Sequence, residues 1–103
     1  MYRSRLYQVV KYGKFREFKE LFDQVNSLCE TKGMTKSQGW VPVVGENNAF
    51  VIETDYADLA AWERENTQFY SDGEVMNLWR QAAALVIEGT GHDELLTEPP
   101  SLA

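Results

Sequence analysis

The chain has 103 residues, 44% of them apolar and 25% charged, which suits one domain around one core. Its net charge of −6 is uneven: residues 1–52 hold eight basic and five acidic side chains, and residues 53–103 hold two and eleven. Nucleic acid is thereby excluded as the expected partner, the single cysteine excludes an internal disulfide and a cysteine-based zinc site, and no run approaches the ~20 apolar residues of a membrane span.

The opening "MYRSRLYQVVKY" reads as a first strand, apolar on both alternating faces and broken by Gly13. Leu6, Val10 and Tyr12 point one way, Tyr7 and Val9 the other. A strand apolar on both sides belongs at the centre of a sheet. It lacks a signal core, and with one cysteine it fits a reducing cytoplasm.

"KFREFKELFDQVNSLCETKG" follows as an amphipathic helix. Phe15, Phe18, Phe22, Val25 and Cys29 recur at spacings of three and four, and Lys32 with Gly33 closes the last turn. Cys29 falls in the buried stripe, as a small core hydrophobe rather than a reactive thiol.

"SQGWVPVVGENNAFVIETD" reads as a hairpin. Val41, Val43 and Val44 precede a Gly-Glu-Asn-Asn turn, and Phe50, Val51 and Ile52 begin the return strand. Pro42 lacks a ladder donor, so the first of these strands belongs at an edge. Asp55, with Asp58 in the first turn, is expected to cap the next helix. Leu59, Trp62, Asn66 and Phe69 share a face of that helix, so an asparagine interrupts an apolar stripe. "SDGE" then breaks the pattern, and Val75, Leu78, Trp79, Ala82, Leu85 and Val86 restart it. A broken helix is expected. A short strand around His92–Leu96 and a Pro-Pro tail complete the chain.

The order is βαββαβ, an α+β, ferredoxin-like arrangement with an antiparallel sheet ordered 4-1-3-2 and its helices on one face. Residues 1–97 form one domain and 98–103 a flexible tail. Either Tyr7 and Val9 or Leu6 and Val10 then lie on the open sheet face, joined by residues of strands 2 and 3. A second copy of the chain, sheet against sheet, is the expected cover, giving a homodimer.

"KYGKFREFKELF" resembles the strand-to-helix junction of NIPSNAP-like proteins and other dimeric α/β-barrel families. "FVIETDYADLAAWERENTQFYSDGEVMNLW" resembles the strand, Leu-Ala-Ala-aromatic helix and Asp-x-Glu-apolar turn of the same group, with Gly73 where proline is common. The likeness spans most of residues 5–96. It implies two ferredoxin-like sheets paired into a dimeric α/β barrel, related to antibiotic-biosynthesis-type monooxygenases, haem-degrading enzymes and many members without known activity. It argues for fold before chemistry.

The same resemblance places a cavity between sheet and helices, with Asn, Trp and Tyr side chains serving cofactor-independent oxygenases. Here Trp62, Asn66 and Tyr70 stand at i, i+4 and i+8 on the second helix. An amide holds a carbonyl or enolate, and an indole N–H donates to developing negative charge. A structural role for Trp62 and Asn66 at the helix break is the competing reading. His92, the one histidine, is a candidate general base, but Asp93 points to the opposite strand face, and an exposed edge position accounts for it. Glu53 and Asp55 are explained as strand-face charge and helix cap. Haem-degrading relatives carry a histidine on the second helix, and this chain has none there. No metal or cofactor is expected.

Together these readings give a small-molecule-binding homodimer, with a cofactor-independent monooxygenase or isomerase-like activity as the chemical expectation. Its expected ligand is small and aromatic or apolar. The alternatives are a non-catalytic ligand-binding or stress-related dimer and a pure interaction module, whose cavity would be filled by its own aromatics.

Overall fold

The computed structural model describes residues 1–101; of the expected tail, Leu102 and Ala103 lie outside the described residues. Seven elements follow one another: β1 (Tyr2–Val9), α1 (Phe15–Thr31), β2 (Gln38–Trp40), β3 (Ala49–Tyr56), α2 (Leu59–Ser71), α3 (Gly73–Ala83) and β4 (His92–Thr97). The sheet runs β2-β3-β1-β4 with every pairing antiparallel, the order expected from the sequence. No helix among the described residues is long and apolar enough to cross a membrane.

The register decides which side of each strand meets the helices. Leu6 lies opposite Ile52 and Gln8 opposite Phe50, so the even residues of β1 face the helical layer. There Phe50 collects the rings of Phe18 and Phe22, each at 5.1 Å between centroids, and Phe15 at 5.8 Å. Val10, Phe18 and Ala82 are fully buried in this cluster, which locks α1 and α3 onto the sheet. A second cluster joins Val25, Cys29 and Met34 to Val75 and Met76, so α1 and α3 also bury each other's stripes. Gly39 is dictated by this packing: a Cβ there would lie 2.8 Å from Cζ of Phe50 and 3.2 Å from a Phe22 ring carbon.

Gln8 is an exception within this layer. It is 3% exposed, and its Nε2 has no hydrogen-bond partner among the described residues.

The odd residues line the open face, which settles the register in favour of Tyr7 and Val9. This face is not apolar throughout. At one end Arg3 grips Asp55 with two bonds of 2.7 and 3.0 Å, and Arg5 Nε donates to Glu53 at 2.7 Å, with Glu94 at 4.0 Å on the other side. The period of two puts both arginines in the row of Tyr7 and Val9, directly opposite the two acids of β3. The other end is apolar, with Tyr7 paired to Val51 and Val51 to Trp40, which is 54% exposed.

Three local expectations are corrected. Asp55 is not the cap of α2; it is held by Arg3, and Asp58 accepts from the Ala61 N–H at 2.8 Å. Val41, Val43 and Val44 are not in a strand, because β2 ends at Trp40, immediately before Val41 and the donor-less Pro42; Val43 and Val44 project fully into solvent. Tyr12 does not continue β1. Pairing stops at Val9, with one bridge from Val10 to Val86, and Tyr12 is exposed in the turn ahead of Gly13.

The helix break falls where expected. Asp72, extended at φ −87° and ψ 115°, ends α2 and caps α3 by accepting from the Val75 N–H at 3.0 Å. The same carboxylate accepts from Lys32 Nζ at 2.8 Å, tying the junction to the end of α1. Gly33, at φ +84°, lets the chain leave α1 in the left-handed region.

Candidate functional site

The cavity of interest, about 160 Å³, lies between the helix-facing side of the sheet and the helical layer. The sheet contributes alternate residues: Ser4 and Leu6 from β1, Ile52, Thr54 and Tyr56 from β3, and Asp93 from β4. Phe22, Val25 and Cys29 of α1 and Met34 beyond it form a buried apolar wall. Helix α2 supplies Glu65, Asn66, Phe69 and Tyr70, and α3 supplies Trp79. Phe69 stands edge-on to Trp79 at 5.9 Å and to Tyr70 at 5.3 Å between centroids.

The polar part of the lining is organised by hydrogen bonds between elements. Asn26 pairs its amide with the backbone of Ser37, donating to its carbonyl and accepting from its N–H, both at 2.8 Å. The Ser37 and Thr54 hydroxyls meet at 2.5 Å. Glu65 accepts from the Thr35 N–H at 2.5 Å and from its hydroxyl at 2.8 Å, linking α2 to the segment after α1. Asn66 is exposed and enters no side-chain hydrogen bond among the described residues, so its amide is free for a ligand.

The local field is negative. Burial pushes the Tyr56 hydroxyl above its usual pKa, and the charge of Glu65 adds to this, while a bond from Thr54 opposes it. Burial likewise pushes the Cys29 thiol up, reinforced by Asp72 and Glu65 and opposed by Lys32. Both groups are therefore held in their neutral forms. No cluster of three or more potential metal ligands occurs among the described residues.

Of the four site candidates read from sequence, the cavity takes two. Asn66 and Tyr70 line it; Trp62 does not, and the half-buried indole sits a turn earlier on α2. A helical face specifies angle but not depth along the axis, and the cavity lies under the second half of α2. His92 is on the open sheet face, opposite Tyr7, and is exposed; its neighbour Asp93 faces the cavity instead. Sequence reasoning missed Tyr56, Glu65, Trp79 and Asp93. The alternation of β3 could have found Tyr56, two residues after Thr54 on one face. Trp79 was legible only as core.

No protein-family model matches this sequence, and no curated protein matches it. Solved structures do. An uncharacterised NIPSNAP domain protein from Burkholderia xenovorans superposes with a TM-score of 0.78 at 14% identity, covering 100% of this chain and 99% of that one. A NIPSNAP family protein from Agrobacterium tumefaciens gives 0.76 at 13% identity, over 95% and 92%. SnoaB, a cofactor-independent oxygenase from Streptomyces nogalater, gives 0.69 at 15% identity, over 98% and 96%. At such identities the likeness is one of fold. The chain thus has the ferredoxin-like architecture of NIPSNAP-domain and antibiotic-biosynthesis-monooxygenase structures, the group its strand and helix sequences resemble.

Proposed function

We propose that this chain binds a small aromatic molecule between its sheet and α2, as a homodimer, and oxygenates it without a cofactor. The observation that carries the reading is the cavity itself, with an unpaired Asn66 amide beside Phe69 and Tyr70 in its lining. An apolar cavity of roughly 150 Å³ accepts benzene, and drug-sized ligands need about 300 Å³ or more. A site of about 160 Å³ that opens at exposed residues therefore suits one ring or two fused rings.

In this reading the ligand's ring packs against the Phe69–Trp79 pair, and the Asn66 amide donates to a phenolate or enolate oxygen. Such a bond lowers the phenol's pKa, so more of the ligand is present as the electron-rich anion, its proton passing to solvent. For a phenol such as 1-naphthol the balance closes without a further reductant. The ring supplies four electrons, one oxygen atom becomes the new quinone carbonyl, and the other leaves as water.

A second reading, binding without turnover, is favoured by one observation. The two ionisable lining groups with displaced pKa values, Tyr56 and Cys29, move away from neutrality, so neither is prepared to take a proton.

Titration with 1-naphthol, followed by its fluorescence, tests the shared claim, and an oxygen electrode with labelled dioxygen separates the two readings. Saturable binding with one labelled atom in the product is the oxygenase outcome; saturable binding without oxygen uptake is the binder. Asn66→Leu is expected to leave the melting temperature unchanged, because the side chain is exposed, and to weaken binding about tenfold, the value of one hydrogen bond to a charged oxygen. Absence of saturable binding to the native chain overturns both readings.

A further inference from the structure

The charges around the cavity are all of one sign. Glu65 enters from α2 and Asp93 from β4, so carboxylates approach from two elements. Among the described residues no lysine, arginine or histidine lines the cavity. Lys32, whose charge is felt at Cys29, is held by Asp72 at 2.8 Å and Glu74 at 3.0 Å. Glu65 is half-buried, and its two oxygens are oriented by neutral donors of Thr35, which leave its charge uncompensated. Neither Glu65 nor Asp93 has an ion-pair partner among the described residues.

We infer that the cavity selects cationic ligands, an arylalkylamine whose ring lies among Phe69, Tyr70 and Trp79 and whose ammonium is directed to Glu65 and Asp93. The inference rests on the ligand-binding reading above and adds the charge of the ligand to it.

Two physical effects favour the cation. Both carboxylates attract it directly, half-buried Glu65 more strongly than exposed Asp93, whose charge water screens. Aromatic faces also attract cations, and the site brings three rings together. A ligand of the same size carrying a carboxylate meets the opposite situation: it loses water, gains no counter-charge and is repelled by both acids. The upward displacement of both Cys29 and Tyr56 has contributions of the same sign from Glu65.

Three probes that share one phenol ring and differ in the para substituent test this. They are tyramine (cationic), 4-ethylphenol (neutral) and 4-hydroxyphenylacetate (anionic), each titrated into the 103-residue chain by calorimetry at low and moderate salt. Tyramine is expected to bind about tenfold tighter than 4-hydroxyphenylacetate, with 4-ethylphenol between them, and the spread should shrink as salt rises. The double variant E65Q/D93N keeps an acceptor for Thr35 and should bring tyramine and 4-ethylphenol to within about twofold of each other. If 4-ethylphenol binds but tyramine binds no better than the acid, the charge inference fails and the cavity reading stands. Persistence of the preference in the double variant, or equal loss of all three affinities there, also overturns it. If none of the three binds the native chain, both fail together.

Discussion

A single side chain can be misplaced by the fold without being misplaced in the sequence. Gln8 occupies a position that the alternation of β1 assigns to the core, between Leu6 and Val10, and its Nε2 is buried without a partner. Such a donor gives up its water and recovers nothing, at a cost of about 1–3 kcal/mol. Gln8→Met, close in size, is expected to stabilise the chain by about 1 kcal/mol, a rise in melting temperature of about 4–8 °C. Thermal denaturation followed by circular dichroism checks it, and an unchanged or lower midpoint contradicts it. At this scale the sequence was legible where periodicity alone sets the answer: Cys29 in the buried stripe, Asn66 and Tyr70 on a shared face. It was illegible where the third dimension decides. Asp55 and Asp58 are both good caps on paper, but β3 runs on to Tyr56 and holds Asp55 opposite Arg3, so α2 starts at Leu59 with Asp58 as its cap.

Elements were easier to locate than to delimit. The break between α2 and α3 was written in Ser71-Asp72-Gly73, whereas β2 shrank to three residues because strand-forming valines beyond Pro42 had no partner strand to pair with. The junction between α2 and α3 depends on one carboxylate. Asp72 caps α3 and accepts from Lys32; Lys32 lowers its pKa, and the Val75 N–H contributes to the same shift. A lowered folded-state pKa means the unfolded chain binds the proton more readily. The stabilisation is complete above the ordinary carboxylate pKa near 4 and is lost as pH falls through the depressed value. Asp72→Asn retains a capping oxygen but cannot ionise. Its deficit against the native chain should therefore be largest at neutral pH and shrink as pH falls below about 4. Urea denaturation of both chains from pH 7 to 2.5 reads this difference directly. A deficit constant across that range would mean that the ion pair contributes nothing.

For the whole molecule, the inference that travelled furthest began with the apolar character of both faces of one strand. It placed β1 at the centre of the sheet, in agreement with the strand order that the βαββαβ succession implies, and it left one sheet face in need of a cover; the fold has that order, with β1 at the centre. What it could not foresee was that the uncovered face is half ionic, since pairing of Arg3 and Arg5 with Asp55 and Glu53 needs the register. The proposed dimer therefore joins through the apolar end, around Tyr7, Val51 and Trp40. Sedimentation is expected to give twice the chain mass at micromolar concentration. Tyr7→Glu, which places a carboxylate in that patch, should yield a monomer with the helix content intact. A native chain that sediments as a monomer removes the barrel.

Helix α2 buries none of its residues completely, in contrast to α1 and α3. It is suspended between Asp58 at one end and Asp72 at the other, with Glu65 and Gln68 fastened to Thr35 and to the Lys32 carbonyl. Lifting it breaks hydrogen bonds and withdraws the Phe69 ring from the edge of the second cluster, but removes no fully buried residue from either. For the proposed ligand, residence beneath α2 would thus follow a local equilibrium, separate from the one that keeps the chain folded. Selection could lengthen or shorten that residence through α2 while leaving global stability where it stands.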